Sequence, residues 1–331
     1  MKDTIKKLSP KRIILGVLIV LAGIAGIVVY QNRIVISDWF SGLSYSPSPE
    51  VAALEESINL TDSGKLIFRA THPTLESKES FNESCDSHNE DISVLGCFTK
   101  NHIYLYDIQE QELSGVKEST LAHELLHAVW ERMSDSDKNR ISKYLTEVYE
   151  NEQYNSLLSD DLENYPESER MDELHSRIGT EVVELPEELE KHYATYFKDQ
   201  DALVMYFNDY ITPFRELSEK IDELSSTLEE LNREIEEKTK IYYEDAENLS
   251  GDIDEFNNCV NTSGCFANNS ALIALRNELV ARKDELENTF NSINATIARY
   301  NALVSEYNEN ILRGQNLENI INSNAKVEDI K

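Results

Sequence analysis

Positive charge is scarce in this chain. Its 331 residues carry 31 Lys and Arg against 62 Asp and Glu, a formal net charge of −31 with a pI near 4.5. A surface of that sign repels phosphate backbones, which excludes general nucleic-acid binding. Glycine and proline are also few, at 11 and 7 residues. That scarcity argues against a turn-dense β-sandwich and for long solvated helices. The chain still has 40% hydrophobic residues and the length to bury a sizeable core, so a coreless disordered polymer is excluded as well.

Charge is missing altogether from one segment. Ile13 to Tyr30 reads IILGVLIVLAGIAGIVVY, which as a helix is about 27 Å long against a bilayer hydrocarbon thickness of roughly 30 Å. Lys2, Lys6, Lys7, Lys11 and Arg12 precede it, and only Arg33 follows closely. The run is longer than a signal-peptide core and no small-x-small site ends it, so the expectation is an uncleaved signal anchor. Residues 1–12 would be a basic cytoplasmic tail, 13–30 a single transmembrane span, and the rest extracytoplasmic in a cell-membrane protein. All four cysteines lie beyond the run, where disulfides persist. Residues 31–49, ending in SGLSYSPSP, have the composition of a linker.

The histidines are confined to the next unit, residues 50–213: His72, His88, His102, His123, His127, His175 and His192. Val51 to Ile58 reads as a short helix and Lys65 to Ala70 as a strand. In Cys97 to Asp107, Ile103 and Leu105 alternate with His102, Tyr104 and Tyr106, the pattern of a half-buried strand. From Ser114 the period becomes helical, through SGVKESTLAHELLHAVWERM.

On that helix His123 and His127 stand four residues apart, one turn on, so both imidazoles can bind one cation from a single face. Glu124, next to the first of them, is placed to take a proton from water activated by that cation. Leu121, Leu125, Ala128 and Val129 supply a buried side for the same helix. A catalytic zinc needs a third protein ligand and an open position. Candidates cluster in Met171 to Glu184, MDELHSRIGTEVVE: Glu173, His175 and Glu181.

The HELLH motif on a helix, following a strand and followed by acidic and histidine residues, resembles the zincin metallopeptidases, and within them the gluzincin-like branch. The wider runs GCFTKNHIYLYD, SGVKESTLAHELLHAVWERM, DELHSRIGTE and LEKHYATYF resemble uncharacterised bacterial membrane-anchored HExxH proteins, over roughly residues 50–213. The resemblance implies a Glu ligand on a later helix, which favours Glu173, with His175 as the alternative third ligand. It also implies that the Cys97–Asp107 strand is an edge that pairs with an extended peptide. Where gluzincins carry an Asp four residues beyond the ligand Glu, this chain has Arg177, which leaves the partner of the histidines unassigned. Tyr193, Tyr196 and His192 are candidate donors to an oxyanion, and equally candidates for core aromatics.

Cys85 and Cys97 flank eleven residues and suit a disulfide; a metal site from Cys85, His88 and Cys97 is the alternative. Residues 214–312 read as an antiparallel coiled-coil hairpin. Leu217, Ile221, Leu224, Leu228, Leu231 and Ile235 recur at spacings of 4 and 3, as do Leu286, Phe290, Ile293, Ile297, Tyr300, Val304, Tyr307 and Ile311. A turn-rich break, NNCVNTSGCFANNS, separates the two seams, with Cys259 and Cys265 placed to close it by a disulfide. The seams could also pair with a partner or a second copy. Residues 313–331 read as a polar tail.

The fold class expected is therefore α+β: a transmembrane helix, a mostly helical zincin-like domain with a small sheet, and a helical hairpin. The function expected is a membrane-anchored, zinc-dependent peptidase acting on peptide or protein substrates, with Glu124 as base. The alternative is a non-catalytic surface or assembly protein in which the hairpin is the working part.

Overall fold

A computed structural model describes residues 21, 23–85, 95–159, 162 and 165–323. The basic tail 1–12, most of the apolar run, His88 and residues 324–331 lie outside the described residues. Among those described, no helix is long and apolar enough to cross a membrane. That finding overturns the single-pass anchor expected over residues 13–30. Residues 31–49 are not a plain linker either. They contain helix α1 (Arg33–Gly42), whose buried Asp38 accepts from Arg132 Nε at 2.9 Å and from Arg132 Nη2 at 3.0 Å.

The chain is mostly helical with one three-stranded sheet, an α+β arrangement. It divides into two compact units, one reaching Pro213 and including the segment from Asn319, the other Phe214–Glu318. In the first, helices α2 (Pro49–Ser57) and α3 (Asp62–Ala70) lead into strand β1 (Thr74–Glu76), helix α4 (Lys78–Ser84), and strands β2 (Gly96–Thr99) and β3 (His102–Tyr106). Then come α5 (Val116–Arg132), α6 (Asp135–Tyr149), α7 (Glu152–Ser159), α8 (Arg170–Glu181) and α9 (Glu187–Tyr193). Helix α10 (Gln200–Val260) begins in this unit.

Two local expectations are corrected. Lys65–Ala70 is not a strand but the body of α3, because the Thr61 hydroxyl caps it by accepting from the Gly64 N–H at 3.1 Å. Its Gly64, Ile67 and Phe68 are buried at helical spacing. Cys97–Asp107 is not one strand but a hairpin, reversed at Lys100 and Asn101, both of positive φ. Its second arm, β3, is the centre of the sheet: parallel to β1 on one side and antiparallel to β2 on the other. The alternation did fix facing, with Ile103 and Leu105 buried. The edge is β2.

Helix α5 owes its length to seventeen residues without Gly or Pro, with Glu118 in its first turn and Arg132 in its last to suit the helix dipole. Leu121, Ala122, Leu125, Leu126, Ala128 and Val129 give it a wide apolar face that is fully buried. Each Leu there contributes about 2 kcal/mol by removal from water. Helix α8 packs on that face through Leu174 and Ile178. The approach depends on Gly179, where a Cβ would stand 2.5 Å from Leu126 Cδ1 and 2.7 Å from Tyr193 Cε1.

In the second unit, α10 and α11 (Asn269–Ile321) form an antiparallel hairpin. Lys220 pairs with Glu306 at 3.2 Å, Lys238 Nζ donates to Ser292 Oγ, and the rings of Tyr242 and Phe290 lie 5.7 Å apart. A disulfide between Cys259 and Cys265 closes the turn, as expected. Leu217, Leu224, Leu231 and Ile293 are buried in the seam, while Phe290 stays 47% exposed, so the seam is only partly closed. Helix α11 continues through residue 321, beyond the expected start of the polar tail at 313.

Candidate metal centre

The site lies where α5 and α8 cross. His123 and His127 project from α5, one turn apart, and Glu173 from the first turn of α8. The Nε2 atoms of the two imidazoles are 3.1 Å apart. Glu173 Oε2 is 3.6 Å from His123 Nε2 and 3.5 Å from His127 Nε2. A tetrahedral cation with ligand bonds of 2.0–2.1 Å requires ligand atoms roughly 3.3–3.4 Å apart. The three atoms therefore form one face of such a shell, and this His-His-Glu group could hold a metal ion.

The orienting partner that the sequence left unassigned is Asp172. Its Oδ1 lies 2.8 Å from His127 Nδ1, which fixes that ring with Nε2 turned towards the cluster. A carboxylate one residue before the candidate ligand Glu173 occupies the orienting place expected four residues after it. Arg177, at that later position, is held by Glu181 at 3.1 Å and by the carbonyl oxygens of Leu157 and Leu158.

The imidazoles and carboxylates of the cluster shift one another's ionisation. Burial alone would raise the Glu173 carboxyl, but the imidazoles of His123 and His127 hold it well below the usual carboxylate range. Burial alone would lower His127, but its bonds to Asp172 and Glu173 raise it well above the usual imidazole range. Burial pushes the Glu124 carboxyl up, against the pull of the two imidazoles. Glu124 is thus a buried, basic carboxylate next to the first candidate ligand.

Glu124, His123 and Glu173 line one cavity of about 290 Å³. Its other walls are Gly96 of β2, Ser119 and Thr120 of α5, Arg177 and Glu181 of α8, and the rings of Tyr165, Phe207 and Tyr210. The remaining expected residues are elsewhere. His175 is fully buried with its Nε2 2.8 Å from His192 Nε2, so the alternative ligand is engaged away from the triad. Tyr193 is fully buried and its hydroxyl donates to the His175 carbonyl oxygen at 2.8 Å. His192 and Tyr196 line a different cavity, with Arg132, Asp137 and Arg140. Two tyrosines that no sequence periodicity singled out, Tyr165 and Tyr210, line the triad's cavity. The Cys85–Cys97 bond is formed, which removes both sulfurs from any metal site.

Comparison with known proteins finds no matching family model, no similar curated protein and no similar solved structure.

Proposed function

We propose that this chain is a zinc-dependent, zincin-like peptidase whose active site is the α5–α8 crossing. The supporting observation is the triangle of His123 Nε2, His127 Nε2 and Glu173 Oε2, with edges of 3.1, 3.5 and 3.6 Å, beside the buried carboxylate of Glu124. His123, His127 and Glu173 would hold the ion. A bound zinc ion supplies Lewis acidity, bringing water towards a pKa of about 7 and polarising a peptide carbonyl.

The protein's own groups have distinct parts. Asp172 holds His127 in the tautomer that leaves Nε2 free. Glu124, whose carboxyl is raised by burial, accepts a proton from the attacking water and delivers it to the leaving amine. Strand β2, bonded to β3 alone within the sheet, opens its other side towards the cavity at Gly96 and is the place where an extended substrate backbone lies.

Metal analysis of the purified, folded chain tests the reading first: one zinc per chain is expected, and a folded chain that takes up no zinc ends the proposal. Glu124→Gln keeps the metal and loses hydrolysis of a mixed peptide library by at least about 100-fold. Full activity in that variant removes Glu124 as the base. A zinc-loaded wild type that cleaves nothing leaves the non-catalytic surface or assembly reading, with the hairpin as the working part.

A further inference from the structure

Strand β2 comes closer to helix α5 than any side chain at position 96 would allow. A Cβ on Gly96 would stand 2.6 Å from Thr120 Cγ2, 2.8 Å from Glu124 Cγ and 3.1 Å from Glu124 Oε1. The Glu124 side chain is thus seated against bare backbone, and the position of β2 decides where its carboxylate lies.

As a mount, β2 is weak by itself. It is four residues long and lies at the edge of the sheet, in register with β3 alone from Gly96 opposite Leu105 to Thr99 opposite His102. Short edge strands open readily. The next residue, Cys97, is bonded to Cys85. That second attachment is firm: Cys85 is buried and its N–H donates to the carbonyl of Phe81 at 2.8 Å. Phe81 is itself buried, with its ring 6.0 Å from that of Tyr106. Asn82 and Lys78 of the same helix donate to the carbonyl oxygens of Ser323 and Asn322 at 2.6 and 2.9 Å.

We propose that the Cys85–Cys97 disulfide is a positioning brace for the candidate active site, holding Gly96 against Glu124 and thereby setting the direction of that carboxylate. The inference rests on the peptidase reading and deepens it. Neither cysteine belongs to the metal triad, so the brace governs the base and leaves cation binding alone. Gly96 and the two cysteines act through Glu124, as positioning residues.

The test compares the full-length wild type with Cys85→Ser/Cys97→Ser, and separately with Gly96→Ala, in which the disulfide stays intact. Zinc content, kcat and KM on a peptide library, backbone amide exchange of β2, and the carbon-13 signal of the Glu124 carboxyl are measured on each. The expected result is one zinc per chain throughout. In the Ser pair, exchange over residues 96–99 is at least tenfold faster, kcat is at least tenfold lower, and the carbon-13 signal of the Glu124 carboxyl is shifted. Gly96→Ala loses kcat similarly and recovers part of it when Thr120→Ser removes the nearest methyl group. Unchanged exchange in the Ser pair, or faster exchange with unchanged kcat, overturns the proposal. So does full activity in Gly96→Ala. If the wild type hydrolyses nothing, the peptidase reading has failed, and the brace is judged by the carbon-13 signal of the Glu124 carboxyl. A shifted signal in the Ser pair and in Gly96→Ala upholds the brace; an unmoved one overturns it.

Discussion

Asp172 Oδ1 sits 2.8 Å from Nδ1 of His127, while the adjacent residue Glu173 reaches the far side of the same ring at 3.5 Å. Consecutive carboxylates on the first turn of one helix thus grip both nitrogens of one imidazole. The first turn of a helix favours negative charge, so the pair lies where the backbone dipole tolerates it best. Asp172→Asn keeps the shape and weakens the hold on the ring. Zinc affinity in that variant, read by competition with a chelator, is expected to fall about 10- to 100-fold.

Metal uptake at the proposed site is expected to expel a proton. His127 is raised well above the imidazole range by its bonds to Asp172 and Glu173, against the effect of burial, so those bonds favour its charged form. A ligand imidazole must be neutral. Calorimetric titration of the metal-free chain with zinc at pH 7, in buffers of different ionisation enthalpy, is expected to show release of about one proton. Affinity then falls as pH falls. His127→Gln abolishes both the release and most of the affinity.

The parts of this fold that were legible in the sequence are those with long repeats or strong local chemistry. Seventeen residues of unbroken helical period announced α5, and the alternating 4 and 3 spacing on either side of a Cys-bracketed turn announced the disulfide-closed hairpin. The α3 segment was misread because KLIFRA is short and β-rich in composition, while its helix is set by a cap at Thr61, outside the run. Asp172 was missed because it faces His127 only once α8 has folded against α5. Tyr193 was undecidable from spacing: its hydroxyl is spent on the His175 carbonyl inside the core.

The His175–His192 pair makes stability fall in acid. Burial lowers His175 well below the imidazole range, and burial with Arg140 nearby lowers His192 to about 4. Both rings bind protons more readily in the unfolded chain, near pH 6.5, so stability is retained above that pH and lost as pH drops from 6.5 towards 4. His192 accounts for at most about 3 kcal/mol across that window, less for the part of the ring that water reaches. Chemical denaturation at pH 7 and pH 4.5 measures the loss, and His192→Gln flattens it. A wild type equally stable at both pH values contradicts the arrangement.

The Arg177–Glu181 pair predicts an asymmetry between its two partners. Their side chains are 14% and 8% exposed, and Arg177 also donates to the carbonyl oxygens of Leu157 and Leu158. Arg177→Ala strands a buried carboxylate and two carbonyls, for a cost of about 3–5 kcal/mol. Burial already raises the Glu181 carboxyl despite Arg177, and losing the guanidinium raises it further. A buried acid with a raised pKa binds its proton more tightly in the folded chain, so its contribution to stability diminishes as pH rises through that pKa. The Arg177→Ala deficit is therefore larger at pH 8 than at pH 5. Replacing both residues with Met and Leu removes the charge and the pH dependence together, at a cost well below that of Arg177→Ala alone. Denaturant midpoints for the two single variants and the double, at both pH values, decide the matter. A deficit equal at the two pH values would mean that Glu181 is ionised and solvated in the folded chain.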